Sequence, residues 1–537
     1  MGSDRTLGAA RCPTSPGVRT AILLLVLAWP HVGEAAPNES ADELLKRSIS
    51  LATSGRLEDA EQLLTEGKSV YERDARFPIE LAGVAWRKKQ STRAKQYLRQ
   101  GLRLDPAGAY AIEFLGSLYL LDANLYAALK YWNRIRRPML SGVIFTPEPP
   151  LKPELRERLP AASAGQLLTG ARLAQTERNL DRLHISSDPR FELAPASDNE
   201  YALTVRAPVL SQPLAGAAGQ LLPLLRSIPY QAINLDWVNI KQRAIILTSL
   251  WRWDADKRRI AVKYRAPLMH GSYSVWTDLR DEEWNVARNG FVLDGVGVRS
   301  AALGGEIEFE LGRGSLWTPG VYLSRHTFRN GGSQDWLANT TVWEVRNRFT
   351  LPRWRYPERR VLVDSSATMR AGRVFSRASS RLVGAEFDAV LRWLPQQRDD
   401  VYSVRAQLRA GALTGNLPVD DLYATAMERD NDLWLRGHVG TRHGRKGNAP
   451  MGKRFVMSQS DTSRRLLRMP FLRVDAGPFF DVANVGGQYG LGSHGWLYDT
   501  GVQATISTFG GFRFSVVYGR DLRDGNNVVY TAVSRRH

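Results

Sequence analysis

Apolar and polar residues alternate with a period of two through the second half of the chain, between residues 229 and 537. One segment places Tyr402, Val404, Ala406, Leu408 and Ala410 on one face and Ser403, Arg405, Gln407 and Arg409 on the other. One apolar and one charged face over about ten residues is typical of a strand in a transmembrane β-barrel. A soluble sandwich would bury its apolar face against a second sheet. The pattern predicts a transmembrane antiparallel β-barrel, and the segments number roughly 14 to 16.

A longer period governs residues 39–138. Small residues recur at Ala60, Ala94 and Ala128, and larger ones at Leu64, Leu98 and Trp132, with a spacing of 34 residues in each set. This period, with a small residue on each helix, is the signature of tetratricopeptide repeats. The repeats predict a short α-helical solenoid whose concave face docks a peptide or a partner protein. The alternative is a spacer that only holds the next domain.

Residues 141–208 combine strand and helix patterns in a small α+β domain. A short strand at residues 143–145 is followed by helical stretches in which Leu173, Leu180 and Leu183 share one face. Two more strands, at residues 190–193 and 201–205, are joined by a turn at residues 197–199. The predicted order is therefore strand, helices, strand, strand.

The first 36 residues have the organisation of a secretory signal peptide. Three arginines precede a short apolar run at residues 21–29, and small residues follow near residue 35. The run is too short to cross a bilayer as a helix. The single cysteine, Cys12, lies before the run. We therefore expect a mature protein that begins near residue 36 and has no disulfide or thiolate metal site.

The chain is strongly basic, with 73 Lys and Arg against 54 Asp and Glu and a formal net charge of +19. Such a charge fits nucleic acid or anionic lipid as a partner. The arginines are spread at strand-like spacing and are not gathered in one block, which disfavours nucleic acid. The 15 tryptophans suit a protein with two membrane–water interfaces.

A polar, glycine-rich segment interrupts the alternation between residues 430 and 453. It contains Leu435-Arg436-Gly437-His438, and Gly477-Pro478-Phe479-Phe480-Asp481 follows it. These residues resemble the signature of the outer-membrane assembly-barrel superfamily, which includes assembly factors and two-partner secretion transporters. Its members carry a hydrophobic-Arg-Gly-aromatic tetrad on a loop folded into the barrel. Here His438 replaces the aromatic residue.

The resemblance implies a barrel of about 16 strands in which Arg436 pairs with Asp481 and locks the loop, with Asp461 as a second acidic candidate. Residues 141–208 are similar to the polypeptide-transport-associated domain that precedes such barrels. The implied protein lies in the bacterial outer membrane with its N-terminal domains in the periplasm. It inserts or translocates proteins, and it has unfolded or exported client proteins and outer-membrane lipids as partners.

Two other functions remain open. The first is a porin-like transport channel, and the second is a surface-lipoprotein export barrel with a periplasmic partner-docking arm. Export barrels also place tetratricopeptide repeats before a barrel, but they lack the Arg-Gly tetrad with its acidic strand partner. That difference favours the assembly-barrel interpretation.

Motifs for catalysis or nucleotide binding do not occur in the sequence. No glycine-rich phosphate loop follows a strand and opens a helix, and nothing marks a nucleophile. We therefore expect no enzyme, cofactor or metal. His438 and His443 share a loop and are predicted to be solvated, and the acidic run at residues 281–283 is expected at a strand end or turn.

Overall fold

The computed structural model describes residues 39–185, 189–197, 200–207, 231–332, 334–395, 401–469, 472–487, 489–492, 495–508 and 512–535. The predicted signal peptide and part of the turn at residues 197–199 lie outside these ranges. Among the described residues, no helix combines the length and the apolar character needed to cross a membrane.

Six helices form the first part of the chain: α1 (Ala41–Thr53), α2 (Leu57–Val70), α3 (Arg76–Arg87), α4 (Ser91–Leu104), α5 (Ala109–Leu121) and α6 (Leu125–Trp132). Short connections join them, so each helix packs against the next. The periodic residues Ala60, Ala94 and Ala128 are fully buried, as is Leu98. Gly116 shows why small residues recur, because a Cβ there would lie 2.3 Å from the Trp132 ring. Close helix contact therefore depends on the small positions of the repeat.

A three-stranded sheet with two helices follows. Its elements are β1 (Met139–Phe145), α7 (Pro153–Arg156), α8 (Gly170–Leu183), β2 (Arg190–Pro195) and β3 (Glu200–Arg206). The sheet order is β1-β3-β2, with β1 parallel and β2 antiparallel to β3. Leu173, Leu180 and Leu183 of α8 are buried in its core. We call the six helices and this small domain together the arm.

The rest of the chain is mostly long strands, which are β4 (Ala232–Ile240), β5 (Ile245–Trp253), β6 (Lys257–Leu268), β7 (Gly271–Arg288), β8 (Phe291–Gly312), β9 (Ser315–Arg329), β10 (Thr340–Thr350), β11 (Trp354–Tyr356), β12 (Val361–Phe375), β13 (Ser380–Trp393) and β14 (Tyr402–Leu413). After them come the short β15 (Tyr423–Ala424), β16 (Thr441–Arg442), β17 (Arg445–Lys446) and β18 (Met451–Gly452). The chain ends with β19 (Arg454–Met469), β20 (Leu472–Gly486), β21 (Gly495–Thr508), β22 (Phe512–Asp521) and β23 (Asn527–Arg535).

Eighteen of these strands form one large, mainly antiparallel sheet whose order closes into a barrel, with β23 next to β4. Fifteen of them have nine or more residues, and the described part of the chain thus shows one long strand fewer than the resemblance implies. Apolar side chains such as Ile260, Leu323 and Leu408 are exposed on the outside. Charged side chains such as Arg259 and Asp278 pair on the inside. The alternation in the sequence therefore separates an apolar outer face from a charged lumen.

The arm lies at one end of the barrel, against the turn between β10 and β12. Glu177 of α8 pairs with Arg353 at 2.7 Å and also with Arg355. Lys130 of α6 pairs with Glu358. The segment of residues 414–453, which we call the inward segment, begins and ends at the opposite end, between β14 and β19.

Candidate functional site: the inward segment

Apolar side chains of the inward segment fill part of the barrel. Leu422, Leu433 and Leu435 are buried in one cluster with wall residues such as Val298 and Met457. The cluster removes about a dozen large side chains from water, and burying each is worth roughly 1.5 to 3 kcal/mol. The lumen is therefore occupied by packed protein on the side away from the arm.

Arg436 is bound to the wall on several sides. Its Nε donates to Asp481 Oδ2 at 2.8 Å, and its backbone N–H donates to the same oxygen at 3.2 Å. Its Nη2 donates to the other oxygen of Asp481, and Nη1 donates to Asp461 and to Gln503. The guanidinium carbon also lies 3.9 Å from the centre of the Phe479 ring. The structure thus brings Arg436, Asp461 and Asp481 together, and all but Asp461 are almost fully buried.

Gly437 fits where no side chain would. A Cβ at this position would lie 2.6 Å from the Asp499 carboxyl group and 2.7 Å from the backbone nitrogen of Asp521. The Gly437 N–H donates to Asp499. The glycine of the tetrad therefore lets the backbone come close to β21 and β22.

His438 corrects one prediction, because it is mostly buried and not solvated. Its Nδ1 lies 3.2 Å from Asp499 and its Nε2 lies 3.5 Å from Asp521. Burial alone would lower the pKa of His438, but the hydrogen bond and charge of Asp499 and the charges of Asp521 and Asp524 outweigh it and raise that pKa. His443, by contrast, is exposed as predicted.

His438, Asp499 and Asp521 place ligand-type atoms within 4.8 Å of one another, close enough for a metal ion. Each ring nitrogen of His438 faces a different carboxylate, which is the arrangement of an imidazolium between two anions. The contacts therefore describe an ion-pair cluster at this position.

A second set of contacts holds the inward segment to strands β5, β6 and β7. Asp430 accepts from Arg252 of β5 at 2.6 and 2.9 Å, and it also pairs with Arg259 of β6. Lys446 lies 2.9 Å from Asp430 and 2.8 Å from Glu282 of β7. Burial raises the pKa of Asp430, but these cations outweigh it and hold the pKa well below its usual range.

These contacts also correct the prediction for residues 281–283. They lie inside β7 and not at a strand end or turn. Glu282 is buried and binds Lys446, whereas Asp281 is partly exposed and binds Arg299. A third contact joins Asp420 to His326 of β9 at 2.8 Å. The inward segment is thus held by ion pairs on three parts of the wall.

Sequence reasoning missed Asp430, Asp499 and Asp521. Asp499 lies at a position of its strand whose side chain faces the lumen. An acidic residue at such a position was the one feature of the sequence that could have indicated a contact there. Leu435 packs in the apolar cluster, as expected for the first position of the tetrad. The locking role of Arg436 and Asp481 remains a prediction that their contacts make testable.

Comparison with known proteins gave only structural likenesses, because no family model and no curated protein matches the sequence. BamA from Haemophilus ducreyi lacking POTRA domains 1-3 aligns at 10% identity and a TM-score of 0.41, over 74% of this chain and 84% of that one. CdiB from Escherichia coli aligns at 12% and 0.49, over 74% and 76%. CdiB from Acinetobacter baumannii aligns at 14% and 0.43, over 76% and 81%. Likenesses with such low identities and TM-scores carry no argument about function. We therefore argue the function from the barrel and its inward segment.

Proposed function

We propose that this chain is an outer-membrane β-barrel of the assembly-barrel type that inserts or translocates client proteins, with its arm in the periplasm. The observation that carries the proposal is the inward segment bound to the wall by Arg436 and Asp481. An arginine fork that meets a carboxylate with two nitrogens fixes both distance and orientation. Such a contact suits a segment that must dock in one position.

The outer surface supports a membrane location. Large apolar side chains are exposed on strands all around the barrel: Trp237, Ile260, Leu279, Leu303, Leu323, Trp343, Met369, Phe387, Leu408, Val456, Phe480, Val502 and Tyr518. An exposed apolar belt of this extent marks contact with lipid, since soluble monomers expose only small apolar patches. Trp354, Tyr356 and Trp393 are exposed at the arm end, where tryptophan and tyrosine favour a membrane–water interface.

The proposed mechanism involves binding and movement only. The arm captures an extended client on the outer edge of β2 in the β1-β3-β2 sheet, which pairs with no other strand among the described residues. The salt bridges of Glu177 and Glu358 keep the arm at the mouth of the barrel. The client then inserts along the barrel wall, or it crosses through the lumen after the inward segment has moved out. The tetratricopeptide-like helices and the transport-associated-like domain divide the arm's work between partner docking and client binding.

A porin-like channel is the competing function, and conductance in planar bilayers separates the two. A barrel occupied by the inward segment should give small, flickering currents. Deleting residues 430–450 should convert them into a large, stable conductance. A large, stable conductance from the unaltered chain would favour the channel and would contradict our proposal.

Crosslinking in cells tests the client directly. A photo-crosslinking residue at Glu192 on the β2 edge should capture exported proteins, and the same residue at Lys46, exposed on α1, serves as the matched control. Capture of nascent outer-membrane or secreted proteins at Glu192 above the control supports the proposal. Equal labelling at both positions would contradict it.

A further inference from the structure

A cluster of arginines lies on the outside of the barrel, where apolar residues prevail. Arg258, Arg299, Arg325 and Arg329 are all exposed, and we call them the outer arginine patch. Each lies an even number of residues from an exposed apolar residue of the same strand, such as Ile260, Leu303 or Leu323. Successive side chains of a strand point to opposite faces. The four arginines therefore face outward and not into the lumen.

Strand pairing arranges the patch as a row. Trp253 is opposite Arg258, Arg258 is opposite Asp281, and Asp281 is opposite Arg299. Arg299 is in turn opposite Thr327, which lies between Arg325 and Arg329 on β9. Neighbouring strands are about 4.8 Å apart, so the patch extends over roughly 10 to 15 Å. A depression of about 520 Å³, lined in part by Arg258, Arg299 and Arg325, lies at the row.

The charges of the patch are not balanced. Asp281 binds Arg299 at 3.0 Å and Arg329 at 2.6 Å. Within the described ranges, neither Arg258 nor Arg325 has an acidic partner. Four guanidinium groups thus share one carboxylate, whereas lumen arginines such as Arg259 and Arg370 are paired with acids. The outer arginine patch therefore carries an excess of positive charge that an anionic ligand could neutralise.

The position of the patch indicates where that ligand lies. The row is near the end of the barrel opposite the arm, since the turns after β5, β7 and β9 are at that end. Trp253 is half exposed beside Arg258, and tryptophan favours the membrane–water interface. A cation on the lipid face is costly at mid-membrane but not near the interface. The arginines thus lie at the level of lipid headgroups.

We propose that the outer arginine patch binds a membrane lipid whose headgroup carries two separated phosphates, in the leaflet away from the arm. Guanidinium groups bind phosphate through paired hydrogen bonds, and a row this long can hold two phosphates at once. A bisphosphorylated glycolipid has this chemistry. The inference rests on the proposed membrane location but not on client transport.

Lipid binding by the purified full chain, measured by native mass spectrometry and titration, tests the proposal. The probes are bisphosphorylated lipid A, its monophosphorylated form, phosphatidylglycerol and inorganic phosphate. The bisphosphorylated lipid should bind tightest. The triple variant Arg258→Gln/Arg299→Gln/Arg325→Gln should weaken that binding by about 100-fold. The control Arg73→Gln/Arg103→Gln/Arg158→Gln, which removes three exposed arginines from the arm, should bind like the unaltered chain.

A second variant guards against misfolding of the triple variant. Thr327→Asp keeps every arginine and adds a negative charge within the row, and it should weaken binding of the same lipid by about tenfold. Undiminished binding by both patch variants, equal loss in the arm control, or competition by inorganic phosphate as strong as by the lipid would overturn the proposal. Cell fractionation keeps the two proposals apart. A chain absent from the outer membrane contradicts the proposed function, whereas a chain that is present but does not discriminate among the lipids contradicts only this inference.

Discussion

Replacing Arg436 with alanine should release the part of the inward segment around Arg436, which we call its tip, while leaving the barrel folded. The change removes the hydrogen bonds to Asp481, Asp461 and Gln503 and the contact with Phe479. It also leaves the Asp481 carboxylate buried without its cation. Removing one partner of a buried ion pair costs about 3 to 5 kcal/mol, against roughly 0 to 1 kcal/mol for an exposed pair. The docked state should therefore weaken by about 100-fold or more.

Thiol labelling measures this equilibrium without interference, because the only cysteine, Cys12, lies in the predicted signal peptide. A cysteine at Ala483, a fully buried wall position of β20, should label slowly while the segment covers it. Arg436→Ala should raise the labelling rate by the same factor of about 100. Arg442→Ala, which removes an exposed arginine from the same segment, should leave the rate unchanged.

The double variant Arg436→Ala/Asp481→Ala decides whether the two residues act as one contact. If they do, the effects of the single variants should be strongly non-additive, since each removes the same interaction. Additive effects, or labelling of Arg436→Ala at the original rate, would refute the lock. Either result would also remove the main support for the assembly-barrel function.

Three further outcomes are expected. Gly437→Ala should expose Ala483→Cys to labelling as Arg436→Ala does, because its Cβ would overlap Asp499, whereas Gly83→Ala, with open space around its Cβ, should not. The tip should be held most firmly below about pH 6.5 and should loosen as the pH rises through the raised pKa of His438. Because ionisation of the thiol itself also raises the labelling rate with pH, the rate between about pH 6 and pH 9 is divided at each pH by that of the same cysteine in the denatured chain. His438→Gln should remove the pH dependence of this ratio. An arm fragment of residues 39–207 should unfold at a higher temperature than one of residues 39–138, followed by circular dichroism, because Leu125, Leu129 and Trp132 pack into the core of the small domain.

The elements with a regular period were predictable from the sequence. Helices and strands impose periods of about 3.6 and 2 residues on buried positions, so Ala94 and Leu408 could be placed on a buried helix face and on an outward strand face. The contact of Arg436 with Asp481 has no such period, since 45 residues separate the two. It could be anticipated only from the resemblance.

The other wall contacts could not be anticipated at all. Asp430 meets Arg252 across 178 residues, and irregular backbone leaves no pattern from which that approach could be inferred. The solvated interpretation of His438 failed for the same reason. Its surroundings come from Asp499 and Asp521, on strands more than sixty residues later. Local sequence describes a loop as polar, but only the fold determines whether its charges face water or one another.

The two sets of wall contacts lie on either side of the junction where β4 meets β23. Asp430 binds β5 and β6, whereas Arg436 and His438 bind strands from β19 to β22, and the Trp434 ring lies 5.9 Å from Tyr530 of β23. The six residue steps from Asp430 to Arg436 can span at most roughly 20 Å. If the first and last strands separated further than this length allows, one of the two anchors would have to break. Parting the wall sideways and moving the inward segment out of the lumen are therefore mechanically coupled.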